Sequence, residues 1–97
     1  MIDRITKNEK RLDSLLISVN NLEQALNDFK SKQKELALLK KYYGSKNWFQ
    51  DKEAFEQQKI SNVKAGVLSE DAVWNLLEDI DDLIVEMKKI SNKKGSK

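Results

Sequence analysis

Carboxylates are the residues of this chain whose types and spacing could do chemistry. Glu78, Asp79, Asp81, Asp82 and Glu86 crowd one short stretch, with Glu78 and Asp82 one helical turn apart, and such a set can in principle give oxygen ligands to Mg²⁺ or Ca²⁺. The stretch lacks the glycine-containing loop of an EF-hand and any basic phosphate-handling neighbour, and the same spacing belongs to a solvated helix face. Glu70 and Asp71 could form an acid/base pair, but two carboxylates at the start of a helix are already accounted for by the positive end of its dipole. His and Cys are both absent, which removes thiol and imidazole nucleophiles, imidazole bases, Cys/His zinc sites, haem ligation, iron–sulfur clusters and disulfides. The expectation is a protein that is not an enzyme, with no catalytic, cofactor-binding or metal-binding residue and no cofactor.

Aromatic side chains are the stronger anomaly. Six of the seven, Tyr42, Tyr43, Trp48, Phe49, Phe55 and Trp74, fall around two glycine joints. Tyr42, Tyr43, Trp48, Phe49 and Trp74 are candidate interaction residues, because Trp and Tyr anchor interfaces with little rotamer entropy to lose. The competing explanation is a mini-core that locks the joints of a thin protein. Trp74 lies beside the apolar seam of its own segment, so it either packs under the middle of the chain or stands exposed for a partner. Lys30, Lys32, Lys34, Lys40 and Lys41 beside Tyr42 and Tyr43 resemble the pairing of charge and stacking in single-stranded nucleic-acid binders. A net charge of only +2, the lack of Arg in the patch and an acidic segment of opposite sign weigh against a nucleic-acid partner. The lysines near the end of the chain lack the amphipathic anchor that membrane binding needs.

The elements that must position these residues follow from the pattern of apolar side chains. Hydrophobic residues are 39% and charged residues 35% of 97, with a mean hydropathy of −0.68, a composition suited to long amphipathic helices. Proline is absent and the glycines are Gly44, Gly66 and Gly95. In the first piece Ile5, Leu12, Val19, Leu26, Gln33 and Lys40 interleave with Asn8, Leu15, Leu22, Phe29, Leu36 and Tyr43 as the a and d positions of a heptad repeat. The spacing predicts a helix over 2–43, ended by a left-handed Gly44. Trp48, Phe49 and Phe55 predict a short helix over about 47–58, followed by a loop. Leu68 and Val73 flank Ser69 as a hydrophobic staple flanks an N-cap, and Val73, Leu76, Ile80, Leu83, Met87 and Ile90 continue a heptad series, which predicts a helix over 69–92. Residues 93–97 are expected to form a flexible lysine-rich tail after a single domain spanning 1–92.

Charge bears on arrangement. Residues 30–41 carry five lysines against Glu35 alone, whereas 69–86 carry seven carboxylates and no cation, so an antiparallel pairing of first and last helices is favoured, with a parallel one still open. The fold class expected is all-α: a long N-terminal helix packed against a shorter C-terminal helix through a short, aromatic-rich helical crossover. The last helix is too short to cover the first, which leaves Ile5, Leu12, Leu15, Val19 and Leu22 as candidates for self-association.

Tyr42-Tyr43-Gly44-Ser45, then Trp48, then Gly66-Val67-Leu68-Ser69-Glu70-Asp71-Ala72-Val73-Trp74-Asn75-Leu76-Leu77, resemble a family of small bacterial proteins, the domain of unknown function 4298. The resemblance implies a helical fold and a bacterial source, and it brings no catalytic residue. The pattern of that family often holds a proline before the second segment, where this chain has Lys59-Ile60-Ser61-Asn62-Val63-Lys64.

The function expected is that of a non-enzymatic helical protein–protein interaction module, self-associating as a homodimer. The alternative is an immunity or antitoxin-like inhibitor of a specific protein partner. The longest apolar run is Leu36–Leu39 and residues 1–10 are charged, so a cytoplasmic protein without a membrane partner is expected.

Overall fold

The computed structural model describes residues 1–95, and every regular element among them is helical: α1 (Ile2–Ser31), α2 (Gln33–Tyr42), α3 (Lys46–Glu56), a 3₁₀ turn (Gly66–Leu68) and α4 (Ala72–Gly95). The chain divides into two compact units, Met1–Lys40 and Lys41–Lys97.

In the first unit, the helix expected over 2–43 is broken at Lys32. Its N–H bonds to the Phe29 carbonyl at 3.1 Å instead of reaching back a full turn to Asp28. Side chains take up the neighbouring carbonyls: the Ser31 hydroxyl donates to Asp28 O at 2.6 Å and the Gln33 amide to Phe29 O at 3.0 Å. Side-chain bonds of this kind compete with the helical ladder and interrupt it without a proline or glycine. No residue of α1 is buried.

The second unit is organised by caps. Gly44 takes the left-handed conformation, φ 76°, that ends α2, and Ser45 directly after it opens α3 by accepting the Trp48 N–H at 3.2 Å. The helix expected over 47–58 therefore starts at Lys46. It ends at Glu56 in a Schellman motif, with Lys59 N bonded to Ala54 O at 2.9 Å and Gln58 N to Phe55 O at 3.0 Å. Gln58 occupies the left-handed position of that motif at φ 60°.

Ahead of α4, Ser69 accepts the Ala72 N–H at 3.2 Å while its own hydroxyl donates to Gly66 O at 2.9 Å, so one side chain ties the 3₁₀ turn to the helix. The regular helix begins at Ala72, later than the expected 69, because Ser69 to Asp71 form the cap and its flank. It continues through Lys93 to Gly95 past the expected stop at 92, since Ser91, Asn92, Lys93 and Lys94 contain no helix breaker. Of the tail assigned to 93–97, the first three residues are thus helical, and residues 96–97 lie outside the described residues. The buried hydrophobic core is small: Trp48 from α3, Leu68 from the 3₁₀ turn and Val73 from α4. The 3₁₀ turn packs against both α3 and α4 and joins them.

Candidate functional site

Trp48 is the centre of the aromatic cluster in the second unit. It is 5% exposed, its indole N–H donates to Val67 O at 2.9 Å, and its ring meets Tyr43 edge-on at 5.3 Å and 74° and Phe49 at 4.9 Å and 80°. These are the edge-to-face geometries that ring quadrupoles favour, each contributing about 0.5–1.5 kcal/mol beyond area burial. The Ser45 cap sets the start of α3 and so directs Trp48, three residues on, towards the 3₁₀ turn.

Polar handles hold the rim. The Tyr43 hydroxyl donates to Glu70 O at 2.9 Å, and the Tyr42 hydroxyl donates to Asp51 Oδ2 at 2.6 Å. That bond to a carboxylate, reinforced by partial desolvation and by the Asp51 charge, pushes the Tyr42 phenol up to about 12. Lys52 places its ammonium 5.2 Å from the Trp48 ring centroid, 3.2 Å from Glu70 Oε1 and 3.9 Å from Glu56 Oε1. Glu56 and Glu70 are solvent-exposed, so the ion pairs orient Lys52 more than they stabilise it.

The five aromatic candidates therefore divide. Tyr42, Tyr43 and Trp48 serve the joint between α2, α3 and the 3₁₀ turn, with every polar atom of their rings or hydroxyls bonded. Phe49 at 59% and Trp74 at 56% exposure face solvent. Among the self-association candidates, Ile5, Leu12, Leu15, Val19 and Leu22 are all exposed, with Leu26 and Phe29 continuing the same stripe. An open depression of about 360 Å³ lies beside Lys52, lined also by Phe55, Glu56, Ala65, Leu68, Ser69 and Glu70. It is a neighbour of the cluster and shares Lys52 and Glu70 with its rim. Asp51 and Lys52 are site residues that sequence pattern misses. The only signal for Asp51 is its place nine residues after Tyr42, and nothing in spacing distinguishes Lys52 from the other lysines.

Among the described residues, no group of three or more Asp or Glu side chains is placed to hold a metal ion, and no helix is long and apolar enough to cross a membrane. Helices, caps and an aromatic joint define an all-α protein. Residues 5–90 match the family described as Domain of unknown function (DUF4298), and the chain belongs to that family. No curated protein and no solved structure matches it.

Proposed function

We propose that this protein is a non-enzymatic helical interaction module of the bacterial cytoplasm, which self-associates through the heptad face of α1. The observation that carries this reading is a 30-residue helix with a continuous a/d stripe, Leu12, Leu15, Val19, Leu22, Leu26 and Phe29, and no buried residue. Amphipathic helices of this length draw most of their stability from packing the apolar face, and a contiguous exposed stripe is the mark of a contact surface. Replacing Val19 by Asp puts a charge at the middle of the stripe. The expected result is a fall in solution mass to that of one chain at micromolar concentration, with most far-ultraviolet helicity retained. An unchanged mass contradicts the assignment.

Phe49 and Trp74 support a second reading, in which the chain binds a different protein as immunity or antitoxin-like inhibitors do. Exposed aromatics beside a rigid joint are suited to anchoring a partner. Loss of binding on Phe49→Ala or Trp74→Ala, with fold and mass unchanged, distinguishes that surface from the α1 stripe.

A further inference from the structure

We infer that the depression beside Lys52 is a binding site for an arginine side chain presented by a partner protein. The inference rests on the second reading above, in which the chain binds a different protein, and gives that partner a chemical feature. The lining offers apolar surface from Phe55, Ala65 and Leu68. A second depression shares Phe55 and Glu56 and continues along the loop past Ile60 and Val63, both exposed. An alkyl stem with apolar neighbours therefore finds contact at Phe55 and beyond it.

Charge selects a cation for the tip of that stem. Glu70 and Glu56 both approach one ammonium, that of Lys52, at 3.2 and 3.9 Å, which leaves the group one negative charge in excess. The excess faces water, because the two carboxylate side chains are 87% and 63% exposed while Lys52 is 20% exposed and held over the Trp48 ring. Phe55 and Glu56 also end α3, at the negative pole of its dipole, and its last turn carries Glu53 and Glu56 with no basic residue. Carboxylates are disfavoured at that pole and cations favoured. Lys59 and Lys64 of the following loop line neither depression. A guanidinium suits the place better than an ammonium, since its planar fork can serve two carboxylates and its weakly hydrated face can lie on the Phe55 ring.

The probes are the peptide acetyl-Leu-Arg-Leu-amide and its counterpart with citrulline, the neutral isostere, in place of arginine. They are titrated by calorimetry into the full chain carrying Trp74→Phe, which leaves Trp48 as the sole tryptophan. A guanidinium that engages Glu70 shifts the Lys52 ammonium over the Trp48 ring, so Trp48 emission gives a second readout. The arginine peptide should bind about fivefold more tightly than the citrulline peptide, and either Glu70→Gln or Glu56→Gln should remove most of that difference. Asp82→Asn deletes a carboxylate of the same unit outside the depression and should leave the difference intact, with far-ultraviolet circular dichroism checking the fold of each variant. Equal binding of the two peptides makes the depression an apolar groove alone and overturns the assignment to arginine. No binding of either through the millimolar range, or an effect of Asp82→Asn as large as that of Glu70→Gln, overturns the site. Each of these failures leaves the second reading itself to the Phe49→Ala and Trp74→Ala variants, which lie outside the depression.

Discussion

Trp48 combines at one side chain what the second unit otherwise has little of: burial, a hydrogen-bonded indole and two edge-on rings. Its truncation removes the largest part of a three-residue core, so Trp48→Ala should cost about 3–5 kcal/mol in chemical denaturation of that unit. Trp74 is the control. Its exposure predicts that Trp74→Phe stays within about 0.5 kcal/mol of the parent while removing the red-shifted, readily quenched part of the fluorescence. Tyr42 gives a pH signature. The Asp51 bond raises its folded-state pKa to about 12 from the ordinary value of 10, so the folded form keeps its proton where the unfolded form has lost it. The associated stability is fully present below pH 10 and falls as pH rises from 10 towards 12. In a Tyr43→Phe background, where Tyr42 is the sole tyrosine, phenolate absorbance should appear late, and Asp51→Asn should bring it back towards 10; no difference between the two contradicts the hydrogen bond. Residues that act locally were legible in sequence, and Ser69 with Leu68 and Val73 is the clear case, since cap and staple depend on neighbours a few positions away. The Tyr43–Glu70 bond joins positions 27 apart in sequence, and no local pattern encodes it.

At the scale of elements, helical periodicity identified the helices, and their ends depended on atoms that periodicity does not see. The break at Lys32 comes from the Ser31 and Gln33 side chains bonding to carbonyls of the preceding turn. Neither residue announces a stop, and the heptad ladder runs through the position unchanged. The end of α3 is set by Gln58 in a left-handed conformation where glycine is the usual occupant, at a cost for a non-glycine residue of about 1–2 kcal/mol. Gln58→Gly should accordingly stabilise the second unit by about 1 kcal/mol, offset in part by the greater freedom of the unfolded chain. A fall in stability on that substitution would mean that the Gln58 side chain makes a contact worth more than the relief of φ. Gly44, by contrast, was readable as the end of α2 because it stands where the apolar pattern stops and takes the left-handed φ itself.

Among the described residues, few side chains are buried and many apolar ones that remain in water are arranged along faces. Leu83, Val85, Met87 and Ile90 of α4 are exposed as well as the α1 stripe. A chain of 97 residues buries a modest share of its surface, and the proposal places association at its exposed heptad faces. The measurement that bears most directly on this account is absolute mass in solution by light scattering over a concentration series. The account predicts a rise from near 11.3 kDa towards about twice that value across the micromolar range, abolished by Val19→Asp. A mass that stays at one chain throughout would contradict it.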